Sequence, residues 1–236
     1  DTDQPISSQI LLFDLDNGEF TAVMEGMYLT GVRTAMQSVI GLKHLYQESP
    51  ESIGIFGAGF QAKFQVLVID QLTDVETFRL FDTDADRALS LSSELDTETD
   101  ADIVVEESPE QAVDSDVIIT VTNSKTPVLN ENWLEDDEFI IALGSYRELP
   151  EDTILRSDHL VVDHIEQCLE RGALANLAER GELTRTDLNA TIGEVLNSEY
   201  DQSLDSEDQI IFVPIGLGAQ DITIAQHLHR KGEQNG

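Results

Sequence analysis

Hydrophobic positions along the 236-residue chain fall into short runs whose period switches repeatedly between two and about 3.6 residues. Residues 9–13 and 20–24 read as two strands joined by a turn at Asp16-Asn17-Gly18, a hairpin signal. A lone hairpin is marginal in water, so this one is expected to add to a larger sheet. From Thr30, a plausible cap, a helical spacing runs through Val32, Met36, Val39, Ile40 and Tyr46 and stops at Ser49-Pro50. Strand patterns then alternate with helical ones. The strands are at 52–56, 77–81, 103–105, 117–121, 138–143, 160–162 and 210–213; the helices are at 60–72, 84–95, near 109–112 and at 165–171. Short helices are expected between 173 and 196, an acidic loop at 197–208, and a last helix opened by Gly216-Leu217-Gly218 and frayed beyond Lys231. Such alternation predicts an α/β chain with a doubly wound parallel sheet and a ligand at the carboxyl ends of its strands.

One junction carries more than topology. Ser52-Ile53-Gly54-Ile55-Phe56 ends in Gly57-Ala58-Gly59-Phe60-Gln61-Ala62 and passes directly into a helix. A dinucleotide pyrophosphate needs backbone N–H groups at close range. Gly57 permits the turn, Gly59 lets phosphate touch the main chain, and Ala62 lets helix pack on strand. The next strand ends on Asp82, 23 positions beyond Gly59, where a carboxylate that accepts from a ribose 2′-hydroxyl is expected. That carboxylate favours NAD over NADP, since it repels a 2′-phosphate. Thr122, Asn123, Ser124, Gly144 and Ser145 follow other strands at the same rim and are expected to line the cofactor site. Arg33, near a helix start, suits a substrate carboxylate as well as a surface ion pair. The glycines from Gly216 onward suit a ligand or plain packing.

Charge narrows the partners. Forty-seven acidic residues against 13 basic ones give a net charge of −34, and only Lys43, Lys63, Lys125 and Lys231 are lysines. Nucleic acid and anionic membrane are poor partners for such a field. The acids concentrate on loops and polar helix faces, as at 82–86, 94–102 and 135–138, while 40% of residues are hydrophobic. A folded, cytoplasmic protein of a salt-loaded halophilic cell is expected, with folding that fails as salt is removed. Cys168 is the one cysteine, which excludes an intrachain disulfide and a cysteine metal cluster and reads as a buried thiol. The five histidines show no metal-ligand spacing, and no apolar run approaches a membrane span.

Several stretches in order resemble the ornithine cyclodeaminase/mu-crystallin family. They are Leu11-Leu12-Phe13-Asp14 with Asn17-Gly18, Tyr28-Leu29-Thr30 with Arg33-Thr34-Ala35, the Gly57–Ala62 turn, Thr120-Val121-Thr122 with 124–128, Gln167-Cys168-Leu169-Glu170 with Gly172, Gly193-Glu194-Val195, and Gly216-Leu217 with Gln220-Asp221. The resemblance implies a homodimer whose protomer has a Rossmann-type NAD-binding domain and a smaller α/β substrate and dimerisation domain formed by the chain ends. The expected division is 1–32 for the start of the substrate domain, 33–213 for the Rossmann domain and 214–236 for a returning helix. Family members begin well before residue 1 of this chain, so the smaller domain is expected to be truncated at its N-terminus. By position, Arg33 would hold a substrate α-carboxylate, Gly57, Gly59 and Gln61 the pyrophosphate, Asp82 the ribose, and Thr122 and Ser124 the neighbourhood of the cofactor. The activity implied is conversion of L-ornithine to L-proline and ammonia by internal hydride transfer through an imine. Plain oxidoreduction, as alanine dehydrogenase or ketimine reductase, and non-catalytic dinucleotide binding are the alternatives. The cyclodeaminase branch carries an aspartate after the glycine matching Gly144. The run here is Gly144-Ser145-Tyr146-Arg147-Glu148-Leu149, which leaves the catalytic residue unassigned, with Ser145 and Tyr146 nearest.

Overall fold

The computed structural model describes residues 7–46, 48–200 and 204–235. After a hairpin, β1 (Gln9–Phe13) and β2 (Phe20–Glu25), and helix α1 (Met27–His44), the chain alternates: β3 (Ser52–Phe56), α2 (Phe60–Leu72), β4 (Thr77–Phe81), α3 (Ala85–Leu95), β5 (Asp102–Val105), α4 (Pro109–Val113) and β6 (Val117–Thr120). It continues through β7 (Phe139–Ala142), α5 (Glu151–Arg156), β8 (His159–Val162), α6 (Ile165–Glu170), α7 (Ala175–Glu179), β9 (Ala190–Thr191), α8 (Ile192–Leu196), β10 (Ile210–Val213) and α9 (Gly218–Asn235).

Eight strands form one parallel sheet in the order β5-β4-β3-β6-β7-β10-β8-β9. The strands are nearly continuous runs of Val, Ile, Leu and Phe because helices cover both faces. Ile53, Ile55, Val117, Ile119, Ile141 and Phe212 point into a core with residues of α1, α2 and α3. Phe56, Ile118, Ile140, Leu160, Ile211 and Val213 point into a second core with residues of α4 to α7. Gly54 is forced by the second layer: a Cβ there would lie 1.9 Å from the Ala112 carbonyl oxygen of α4. The order reverses between β3 and β6, which opens a crevice above their carboxyl ends.

The doubly wound parallel sheet is as predicted, but local details differ. The hairpin stands as its own two-stranded sheet. Ile10 and Leu12 on one side of it pack with Leu29 of α1 and Ala225 of α9, so two helices take the place of further strands. Helix α1 starts one turn early, at Met27, and Thr30 does not cap it. The Glu25 carboxylate accepts from the N–H groups of Met27 and Tyr28 at 2.6 and 2.8 Å and supplies the capping that Gly26 cannot. Arg33 therefore lies in the second turn, and the 32/33 boundary falls inside a continuous helix. Helix α9 continues through Asn235 where fraying was expected; Gly236, like 201–203 of the acidic loop, lies outside the described residues. Helix α5 and the two-residue edge strand β9 are too short to announce themselves by period.

Candidate functional site

The crevice between the ends of β3, β4 and β6 encloses about 580 Å³. Gly57 turns the chain at φ 106°, and a Cβ there would lie 2.8 Å from the Val121 carbonyl oxygen, so no other residue fits without displacement. The Gly57 N–H donates to the Phe81 carbonyl at 2.8 Å, and the Ala58 N–H to Asp82 Oδ2 at 2.8 Å; the turn is thereby tied to the end of β4. Asp82 Oδ1 accepts the Asp84 N–H at 2.9 Å, which fixes the carboxylate at the rim. Gly59 is the N-cap of α2. No side chain caps this helix, its first turn holds no acid, and a Cβ on Gly59 would meet nothing within 4 Å. An uncapped N-terminus left open in this way suits an anion. Of the turn residues, Gly57, Ala58 and Gly59 belong to the crevice wall. Phe60 packs against Phe64 with tilted rings whose centroids are 4.9 Å apart, Ala62 is fully buried in the first core, and Gln61 buries its Oε1.

Across the crevice, Thr122, Asn123, Ser124 and Thr126 form the opposing wall. Thr122 Oγ1 accepts the Ser124 N–H at 3.1 Å, and the Ser124 hydroxyl donates to the Thr126 carbonyl at 2.6 Å. Behind this wall lies a residue that sequence reasoning missed. Glu148 is completely buried. Its carboxylate accepts from the Thr122 N–H (2.5 Å), the Gly144 N–H (2.6 Å) and the Thr120 hydroxyl (2.9 Å). Burial pushes its pKa above the usual carboxylate range, and the hydrogen bonds from these donors act in the opposite direction. Gly144 serves this contact: a Cβ there would lie 2.0 Å from the Glu148 carboxyl carbon. Ser145 and Tyr146 are exposed on the loop between them, with Lys125 Nζ 5.7 Å from the Tyr146 ring centroid.

Arg33 and Gly216 meet away from that wall. Arg33 Nε and Nη2 donate to Asp221 Oδ1 and Oδ2 at 3.0 and 3.2 Å, a two-point pair from α1 to the first turn of α9. Thr30, one turn before Arg33, donates its hydroxyl to the same Oδ1 at 3.1 Å. Gly216, at φ 81°, lies so close that a Cβ would be 2.4 Å from Arg33 Nη1, the arm outside the pair. Asp163, at the end of β8, accepts the N–H groups of Ile215 and Gly216 and the Gln37 amide, and so sets this loop. Cys168 beneath it donates its thiol to the Val213 carbonyl at 3.4 Å, and burial pushes that thiol up to about 12.

A second cavity, about 750 Å³, lies elsewhere, lined by the starts of β3, β7 and β10 and by acids including Glu48, Asp114, Asp116 and Glu138. Its position at the amino ends of the strands is not where a parallel sheet presents ligands. Among the described residues no group of three His, Cys, Asp or Glu is placed to hold a metal ion, and no helix is long and apolar enough to cross a membrane.

Comparisons with known proteins agree with this architecture. Residues 3–235 match the model of the ornithine cyclodeaminase/mu-crystallin family. The chain is 30% identical to a Delta(1)-pyrroline-2-carboxylate reductase of Bacillus cereus, over 98% of this chain and 73% of that one. The Thermococcus litoralis Delta(1)-pyrroline-2-carboxylate reductase, solved in complex with NADH and L-proline, superposes with a TM-score of 0.89 at 26% identity, covering 97% of this chain and 72% of that one. An archaeal alanine dehydrogenase, solved as a dimer with bound NAD, gives 0.88 at 27% identity with the same coverage.

Proposed function

The chain belongs to the ornithine cyclodeaminase/mu-crystallin family, and from that premise we propose that it is an NAD(H)-dependent oxidoreductase that reduces a cyclic imino acid of the Δ1-pyrroline-2-carboxylate type to the corresponding L-amino acid. The uncapped start of α2 between Asp82 and Thr122 fits a dinucleotide: N–H groups for the pyrophosphate, a fixed carboxylate for the adenosine ribose, and a polar wall for the other half. Asp82 selects NAD against NADP by repelling a 2′-phosphate. When bound, the cofactor supplies or accepts a hydride. The protein's own part is orientation and charge. Arg33 Nη1, turned toward Gly216 and held by the Asp221 pair, offers a fixed donor to a substrate carboxylate.

The observation that favours imine reduction is the loop after β7. Glu148 is its sole carboxylate between 144 and 149, and it is buried and already accepts three hydrogen bonds. Cyclodeamination of L-ornithine needs the side-chain ammonium to lose a proton before it attacks, and hence a base within hydrogen-bond reach. A cyclic iminium already carries the proton that its reduction retains. Cyclodeamination therefore stands second. Oxidation of L-alanine, the activity in the name of the archaeal neighbour, is the other redox reading. Homodimerisation, cytoplasmic location and a halophilic setting belong to the same proposal. The dimeric neighbour supports the first and the net charge of −34 the last. The substrate side is assigned to residues 1–32 and 214–236 together with Arg33 at the seam, and the dinucleotide side to the rest of 33–213.

The test presents three reactions in molar salt: Δ1-pyrroline-2-carboxylate with NADH, L-alanine with NAD⁺, and L-ornithine with a trace of NAD⁺. NADH consumption in the first supports the proposal. Ammonia and proline from the third without net NADH would replace it with cyclodeamination. Dinucleotide binding with no turnover in any would leave a binding protein.

A further inference from the structure

Glu148 is the one carboxylate that the chain buries completely without a cationic partner among the described residues. Such a group is costly to bury unless donors saturate it. Here the donors come from two strand ends. β6 and β7 are last paired at Thr120 and Ala142. Immediately beyond, the strands part, and the carboxylate fills the gap, taking the Thr122 N–H with Oε1 and the Gly144 N–H with Oε2. The Thr120 hydroxyl completes Oε2 from below. Glu148 also returns its carbonyl to the Val128 N–H at 2.8 Å, which closes the 122–128 loop from its far end.

That loop is the crevice wall opposite Asp82. Thr122 also lies beside the glycine turn: its Cγ2 is 3.1 Å from where a Cβ on Gly57 would stand. The wall on the β6 side is therefore located through a carboxylate that lies behind it and does not itself line the crevice. Resting on the dinucleotide reading above, we infer that Glu148 is a positioning residue for the nicotinamide half of the cofactor: by holding the Thr122 and Gly144 N–H groups it sets the wall on the β6 side, while the β4 side is set independently by Asp82.

The two halves can be separated by ligand. ADP-ribose occupies the β3–β4 side and lacks the nicotinamide; NADH spans both. Glu148→Gln keeps the size of the side chain, but a carboxamide presents one acceptor oxygen where two N–H groups converge, so one of them must meet its NH₂ group. The loss of a buried pairing of this kind is expected to weaken NADH about tenfold, with ADP-ribose within about twofold of wild type. Titration by nicotinamide fluorescence for NADH and by calorimetry for ADP-ribose reads both constants. Thr120→Val removes only the hydroxyl donor, is close to isosteric, and carries the test if Glu148→Gln does not fold; it should show the same selective loss, about threefold for NADH. Thr120→Ser should restore the wild-type ratio. Equal weakening of both ligands, or no change in either, would overturn the inference, since a scaffold role does not distinguish them. A wild-type protein that binds neither ligand would overturn the dinucleotide reading, and this inference with it.

Discussion

The Arg33–Asp221 pair joins fold and chemistry, and its removal should have a measurable size. The two side chains are 12% and 17% exposed, bonded at 3.0 and 3.2 Å, with Thr30 donating to the same carboxylate. An exposed pair of this type is worth about 0–1 kcal/mol, whereas breaking a buried one costs about 3–5 kcal/mol. At this exposure an intermediate value of about 2 kcal/mol is expected for Asp221→Asn, which leaves the Arg33 charge sheltered and unpaired. For a chain of this length that lowers Tm by roughly 4–8 °C. Arg33→Ala should cost about the same, and the double variant little more than either single one. A double-mutant cycle by denaturant unfolding, in buffer of fixed salt, should therefore return a coupling of about 2 kcal/mol. Function should follow the same logic: Asp221→Asn frees the guanidinium to wander and raises KM for the imino acid about tenfold, while NADH affinity is unchanged. A coupling below about 0.5 kcal/mol, or a parallel loss of NADH affinity, would refute the reasoning.

Other expectations follow from single groups. Asp82→Ser removes the charge proposed to face the ribose and should shift the NADH:NADPH preference in kcat/KM toward NADPH by about tenfold or more; an unchanged ratio would take Asp82 out of the ribose site. Glu138, whose Oε1 accepts the Glu135 N–H while Oε2 is buried without a partner, is pushed up to about 7 chiefly by burial. Its folded-state value exceeds the unfolded one, so its contribution is full below about pH 4.5 and is lost as pH rises through 7. Glu138→Gln should thus raise stability at pH 8 by about 1 kcal/mol, after discounting for partial exposure, and leave pH 4.5 unchanged; unfolding midpoints at the two pH values read the difference. Cys168, raised to about 12 in the core, should not react with a thiol reagent at pH 8 until the protein unfolds. Rapid labelling of the native protein would contradict its burial.

The sheet was legible because its strands are uninterrupted apolar runs bounded by turn residues, and the glycine turn because four features coincide over thirty residues. Asp82 could be placed by spacing alone, since strand, turn and helix have fixed lengths. Glu148 could not: it is one of 47 acidic residues, and only the meeting of β6 and β7 makes it the buried one. The sole signal was its sequence distance of four from a strand-ending glycine. Gly144 and Gly216 stood out at the rim as cofactor contacts. In the structure each opens space for a charged side chain, Glu148 in one case and Arg33 in the other, partners that periodicity does not report. The early start of α1 was hidden for a related reason: Glu25 caps it from within a strand, whereas the sequence offered Thr30 as a more familiar cap. The hairpin's isolation depends on α9 returning from more than 200 residues away, a contact no local window contains.

The most direct measurement uses NADH deuterated at the transferable position, with Δ1-pyrroline-2-carboxylate as acceptor and the wild-type protein in molar salt. The product should be L-proline carrying one deuterium at Cα for each cofactor consumed, as read by mass spectrometry and proton NMR. Cofactor recovered unconsumed despite binding, or proline without deuterium, would contradict the account.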